Sequence, residues 1–309
     1  MPFLSFDQLY QLADSLAQPV PLAVAGAADP TVLEALRTAC DRRWVTPFLV
    51  GSEAEIRQTA SACAIGLQGF TLVDSGDAAS ASAALVRSQQ ARLLMKGQIS
   101  TPSLMKAMLD PVSGLRAAEI SNPVRVSNQV ICQVVLMELH RGERRFLMAD
   151  TGVCIHPTLP QKIDILRSAV ELAHTLGVEC PRVGCLAATE TTTLSMPETV
   201  DAAELQRLNG LGEISGCLVR GPLSFDLAFD ADAAAKKKLA DPEFGIADIM
   251  LFPNLLSANL TVKAIMYTAE CRFGGVLCGA ACPVVFMSRA DTTATRLNSL
   301  ALALNSLPR

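Results

Sequence analysis

The chain alternates between short apolar runs and longer stretches in which apolar residues return every three or four positions. The runs at 21–26, 48–51, 70–73, 93–95, 182–188, 214–219, 248–252 and 283–287 are short and bounded by turn residues, so they predict buried strands. The stretches between them predict helices. Residues 1–16 carry Leu4, Leu9, Leu12 and Leu16. After Asp29-Pro30, a cap followed by proline at the first helical position, Val32, Leu33, Leu36, Ala39 and Cys40 share one face. Ser52 to Glu55 has capping-box spacing. Further helices are predicted over 77–91, from Pro102 onward, over 161–176 (closed by Gly177), over 197–208 and over 259–271. The last of these places Leu260, Ala264 and Tyr267 on one face and is broken by Gly274 and Gly275. A final helix starts near Thr292, carries Leu297, Leu300, Ala301 and Leu304, and is expected to fold back onto the first lobe.

This strand–helix rhythm argues for α/β architecture, with parallel, helix-covered sheets in two lobes. It is interrupted by a hairpin, strands 130–139 and 144–149 joined at Arg141-Gly142, which marks a lobe boundary. The expected division is 1–130 plus 283–309 as one α/β/α domain and 131–282 as the other.

Composition narrows the function classes. Half of the 309 residues are apolar and 18% are charged, enough for a large core. The net charge of −4 gives no basic surface for nucleic acid. No apolar run is long enough to span a bilayer, and residues 1–17 lack the basic start and apolar block of a signal peptide. Ten cysteines contain no Cys-x-x-Cys pair and several fall in apolar runs, which predicts reduced, mostly buried thiols in the cytoplasm. Three scattered histidines without a His-x-x-x-His pair point to no metal site.

Two stretches carry candidate chemistry. In open parallel sheets, ligands bind at the carboxyl ends of strands. Lys96 stands at such an end, and Ser100 and Thr101 open the following helix, where free N–H groups, hydroxyls and a cation suit a phosphate. The order Gly-x-x-x-x-Gly-Lys is missing, so this is not a Walker loop. Ser288, Arg289 and Asp291 follow the last strand beside another helix start, a hydroxyl, a guanidinium and a carboxylate suited to anions and protons. A plainer reading fits both stretches equally: capped helices, Asp291 being one of the caps, with solvated Lys96 and Arg289.

Taken together, Leu94-Met95-Lys96-Gly97-Gln98-Ile99-Ser100-Thr101, Gly114-Leu115-Arg116, Gly221-Pro222-Leu223 with Asp226, Ala247-Asp248-Ile249, Asn259 with Lys263, and Ser288-Arg289-Ala290-Asp291 resemble the phosphate acetyltransferase and phosphate butyryltransferase family, from about Val20 to Ala303. The Ser-Arg-Ala-Asp form is closer to the butyryl branch. The resemblance implies two three-layer α/β/α domains like those of isocitrate and isopropylmalate dehydrogenases, with a cleft between them. It also implies a homodimer or larger assembly, acyl-CoA and inorganic phosphate as substrates, and coenzyme A as co-substrate without a resident cofactor. It assigns Ser288 to the thiol, Arg289 and Lys96 to phosphate and the developing oxyanion, and Ser100 and Thr101 to phosphate. Asn259 and Lys263 would line the cleft, and Asp291 would carry protons.

The chain departs from that pattern in several places. Thr295 stands where the acetyl branch has aspartate, Arg220 precedes Gly221-Pro222 in place of aspartate, and Leu227 follows Asp226 in place of asparagine. Asn128 replaces a histidine, and Leu256 and Ala258 lie in a segment the butyryl branch fills with Asp-Leu-Glu-Ala-Gly. These changes leave two other readings open: a catalytically weak CoA-ester binding or regulatory paralogue, and a metal-dependent dehydrogenase of similar shape.

Overall fold

The computed structural model describes residues 3–115, 130–140, 143–238, 244–288 and 290–307. The chain divides into two compact units, Phe6–Gln129 with Phe273–Arg309 and Met1–Ser5 with Val130–Arg272. The first unit opens with α1 (Phe6–Asp14), β1 (Val20–Ala25), α2 (Pro30–Asp41), β2 (Val45–Gly51), α3 (Glu53–Ala62), β3 (Thr71–Asp74), α4 (Ala78–Arg87), β4 (Leu93–Lys96) and α5 (Thr101–Leu109). The second holds β5 (Cys132–Leu139), β6 (Arg144–Ala149), α6 (Leu159–Thr175), β7 (Arg182–Leu186), α7 (Pro197–Gly210), β8 (Leu218–Leu223), α8 (Phe225–Phe229), α9 (Ala231–Lys236), β9 (Ile249–Leu251) and α10 (Leu255–Thr268). After β10 (Cys271–Cys278), β11 (Val284–Val285) and α11 (Thr293–Asn305) return to the first unit.

The sheet of the first unit has the order β3-β2-β1-β4-β11-β10. Its strands are parallel except β10, which runs antiparallel to β11. The order reverses at β1, since β2 lies on one side of it and β4 on the other. That is the switch point at which loops part and leave room for a ligand. In the second unit the order is β5-β6-β9-β7-β8, with β5 antiparallel to β6 and the rest parallel. The mixed α/β architecture read from the sequence is therefore present.

Local chemistry explains most helix starts. Asp29, Ser52, Asp77 and Ser100 each accept a hydrogen bond from the backbone N–H three residues on. The last helix does fold onto the first unit. In α11, Leu300 to Leu304 are all buried, Tyr10 Oη donates to Asn298 Oδ1 at 2.8 Å, and Asn305 Nδ2 donates to the Leu9 carbonyl at 3.0 Å.

Three local readings need correction. Gly274 and Gly275 do not merely end a helix but sit inside β10. A Cβ on Gly274 would stand 2.9 Å from backbone atoms of Asn298 and Ser299, so the glycine admits α11 against the strand. Arg220, Gly221 and Pro222 lie within β8 and not beyond it; β8 is an edge strand, where a proline without an N–H is tolerated. The helix expected over 259–271 begins at Leu255, with Asn254 accepting from Ser257 N at 3.0 Å, and ends at Thr268. The unit boundary falls between Arg272 and Phe273, inside β10, whereas the sequence reading put it after residue 282. The hairpin turn Arg141-Gly142 lies outside the described residues.

Candidate functional site

β4 and β11 are neighbours in register, with Leu94 beside Val284 and Met95 beside Val285. Lys96 and Phe286 therefore leave the sheet side by side, and the Ser288 turn follows two residues later. Pairing of β1 with β4 sets Ala25 beside Lys96. The fold thus gathers Lys96, Ser100, Thr101, Ser288 and Asp291 at the carboxyl ends of adjacent parallel strands.

Lys96 is only 3% exposed, which removes the solvated surface lysine of the plainer reading. Its Nζ lies 3.5 Å from the Gly97 carbonyl oxygen. Burying an ammonium is costly unless a counter-charge or ligand compensates, so this lysine is placed for chemistry or for a structural partner. Ser100 caps α5: its Oγ accepts from Ser103 N at 3.1 Å and donates to Ser103 Oγ at 2.9 Å. Pro102 has no N–H and that of Ser103 is taken by the cap, which leaves exposed Thr101 to offer a backbone donor and a hydroxyl.

The turn after β11 is closed on itself. Asp291 Oδ2 accepts from Ser288 N at 2.6 Å, and Asp291 N donates to the Ser288 carbonyl at 3.2 Å. The Ser288 side chain is exposed. Asp291 is not the helix cap. Thr292 is: its Oγ1 accepts from Thr295 N at 3.2 Å. Thr295 is buried and its hydroxyl lies 3.1 Å from that of Thr292, so the position where the acetyl branch has aspartate serves the cap here. Arg289 lies outside the described residues, as do Arg116 and Asn128.

Asn259 and Lys263 belong to α10 of the second unit. Asn259 Nδ2 donates to the Thr151 carbonyl at 3.3 Å, and Lys263 is exposed. The loop Asn259 grips is built around Asp150, a buried carboxylate at the end of β6 that accepts from the N–H groups of Gln133, Gly152, Val153 and Cys154. Also in this unit, Arg220, Gly221, Pro222, Leu223 and Leu227 line a cavity of about 340 Å³ with Glu190. Lys237 Nζ reaches Asp226 at 3.0 Å and Glu190, which lines the cavity, at 3.3 Å. Hydrogen bonds from Ser224, then Lys237, hold the carboxyl groups of Glu190 and Asp226 below the ordinary carboxylate range. Leu227 is buried, so its departure from asparagine is a core substitution.

The sequence reading assigned no role to Asp150 or to Arg296. Arg296 is buried in α11, with Nε donating to Thr31 Oγ1 at 2.9 Å and Nη2 to the Ser288 carbonyl at 3.3 Å. Its position one turn before the apolar Leu300 was the available signal, a charge on a face that is otherwise buried.

No described helix is long and apolar enough to cross a membrane. A match to the phosphate acetyl/butaryl transferase family spans residues 75–304. The chain is 35% identical to the phosphate butyryltransferase of Clostridium acetobutylicum over 285 residues, 91% of each protein. It is 34% identical to the phosphate acetyltransferase of Thermotoga maritima over 284 residues, 91% of this chain and 93% of that one. A branched-chain phosphotransacylase from Enterococcus faecalis V583 superposes with a TM-score of 0.79 at 27% identity, covering 93% of this chain and 98% of its own. Relatives this similar over this much of the chain, with the motif residues at adjoining strand ends, place it in the phosphate acetyltransferase and phosphate butyryltransferase family.

Proposed function

We propose that the chain is a phosphate acyltransferase catalysing acyl-CoA + phosphate ⇌ acyl phosphate + CoA, with a butyryl-like or other short acyl group. The observation that carries this reading is the buried Lys96 beside the Ser288 turn at the ends of β4 and β11. Attack of phosphate on a thioester needs the two reactants held together, with cations and N–H donors where negative charge develops. Lys96 and Arg289 would hold phosphate and the oxyanion. Ser100 and Thr101 would add donors, Ser288 would meet the leaving sulfur, and Asp291 would carry the thiol proton. Asn259 and Lys263 would bind coenzyme A as a co-substrate, and no resident cofactor is needed for this chemistry.

Two features support the finer parts of the reading. The butyryl-type Ser-Arg-Ala-Asp sequence at Ser288 to Asp291 favours a branch that takes acyl groups longer than acetyl. Leu256, Leu260 and Tyr267 on α10 are 67%, 60% and 80% exposed, an apolar stripe that suits a homodimer or larger assembly. Reduced cysteines are consistent with the cytoplasm.

The test is phosphate-dependent release of CoA thiol from acetyl-, propionyl-, butyryl-, isobutyryl- and octanoyl-CoA, with Ser288→Ala and Arg289→Ala alongside. Release that requires phosphate and falls about 10²-fold or more in the variants is expected. Acyl-CoA binding without phosphate-dependent release would replace this reading with a CoA-ester binding protein.

A further inference from the structure

Arg296 is 2% exposed, a charged side chain inside the most buried helix of the first unit. A Leu or Met there would avoid the cost of desolvating a guanidinium. The two groups it bonds explain what the charge does. Nε donates to Thr31 Oγ1 at 2.9 Å, and Thr31 Oγ1 donates to Asp29 Oδ1 at 2.7 Å. Asp29 is the cap of α2, accepting from Val32 N at 3.0 Å. Nη2 of Arg296 donates to the Ser288 carbonyl at 3.3 Å. One guanidinium therefore ties the loop after β1 to the turn after β11.

β1 and β11 are not neighbours; β4, which ends in Lys96, lies between them. The clasp thus joins the strands on either side of the one that delivers the buried lysine. Ser288 is held from both sides of its peptide units, its N–H by Asp291 and its carbonyl by Arg296 and by Asp291 N. We infer that Arg296 is a positioning residue, which fixes the Ser288 turn against the α2 cap and so sets the geometry of Ser288 relative to Lys96. The inference rests on the acyltransferase reading for its catalytic consequence, but the clasp itself is a structural claim that can be measured separately.

A planar fork matches this pair of acceptors and a single ammonium does not. The experiment compares wild type, Arg296→Met, Arg296→Lys and Thr31→Val by thermal midpoint, by kcat and KM for butyryl-CoA and phosphate, and by amide hydrogen exchange over residues 286–292. Arg296→Met is expected to stay folded, to lose kcat by about tenfold or more with KM for butyryl-CoA changed less than about threefold, and to exchange faster over that segment. Arg296→Lys recovers only part of kcat. Thr31→Val, which keeps the arginine and removes one acceptor, loses kcat by about threefold, and adding it to Arg296→Met costs nothing more. Normal kcat and unchanged exchange in a folded Arg296→Met overturn the inference. If Arg296→Met does not fold, the same result in Thr31→Val overturns it. If wild type shows no phosphate-dependent release, the acyltransferase reading fails, and the exchange of the 286–292 segment alone judges the clasp.

Discussion

Gly97 lies so close to the backbone of Gly26 that a Cβ at residue 97 would overlap the Gly26 carbonyl oxygen. Gly97 N donates to the Ala25 carbonyl at 2.9 Å and Gln98 N to the Gly26 carbonyl at 2.6 Å. The chain leaving β4 is thereby pressed against the chain leaving β1, at the switch point of the sheet. Gly26 itself has φ of 75°, a conformation that favours glycine.

Gly97→Ala should therefore displace the turn that follows Lys96. The expected cost is about 1–3 kcal/mol of stability, as for an overpacked core, together with a loss of turnover larger than the stability change explains. Gly210→Ala is the matched control, since Gly210 ends α7 with nothing within 4 Å of the added methyl. It should be neutral, or stabilising by about 0.4–1 kcal/mol. Urea midpoints and thiol-release rates on both variants decide the matter; equal behaviour of the two would show that the Gly26–Gly97 contact yields easily.

Lys96→Met keeps most of the length of the side chain and removes the buried charge. If Lys96 holds phosphate, kcat/KM for phosphate should fall about 10²-fold or more in a variant that remains folded. Lys96→Arg should not restore activity, since a guanidinium is bulkier than the space left by a fully buried ammonium. Near-normal turnover of Lys96→Met would leave the lysine a structural role only.

The positions of these residues were partly legible in the sequence. Lys96 and Ser288 each follow a short apolar run, and strand ends can be read from such runs. That the two strands are neighbours cannot be read locally, because β4 and β11 are separated by most of the chain and their register is set by tertiary pairing. The burial of Lys96 was missed for the same reason. β10 is not legible locally because Gly274 and Gly275 are strong breakers in any local window; what Gly274 answers to is the backbone of α11, which leaves no room there for a side chain. Asp291 and Thr292 are both good caps, and choosing between adjacent residues depends on dihedral angles that no pattern encodes.

Asp291 has two separable duties, and substitution tells them apart. As a structural acceptor it holds Ser288 N at 2.6 Å; as a proton carrier it must titrate. Asp291→Asn keeps an oxygen for the Ser288 N–H and cannot carry the proton. If the carboxylate moves protons, Asp291→Asn should lower kcat by about 10²-fold or more with little change in thermal midpoint, and remove the acidic limb of the pH–rate profile. Asp291→Ala should lose both activity and about 1 kcal/mol or more of stability. Equal, small effects on rate in both variants would assign proton transfer elsewhere.

The cysteines give a prediction in which the sign of the pH effect is fixed by burial. Cys185 and Cys282 are buried, and burial pushes both thiols from the ordinary 9.0 up to about 12. Cys154 is raised to about 12 by burial and by the neighbouring Asp150 carboxylate. Cys180, by contrast, is exposed. The thiolate is the form that reacts, so at pH 8 the fraction ionised at a thiol of pKa about 12 is only about 10⁻⁴. Iodoacetamide should label Cys180 well before Cys154, Cys185 or Cys282 in the native protein, and should reach all of them in denaturant. The same shifts act on stability. Between pH 9 and about 12 the unfolded chain releases protons that the folded chain keeps, so the unfolded state gains and stability falls as pH rises, by up to about 1.4 kcal/mol per pH unit for each such thiol. Below pH 9 the contribution is complete and flat. Urea midpoints measured from pH 7 to 11 on wild type and on Cys185→Ala should diverge only above pH 9, the variant losing stability less steeply; parallel curves across that range would mean that Cys185 is open to solvent in the folded protein.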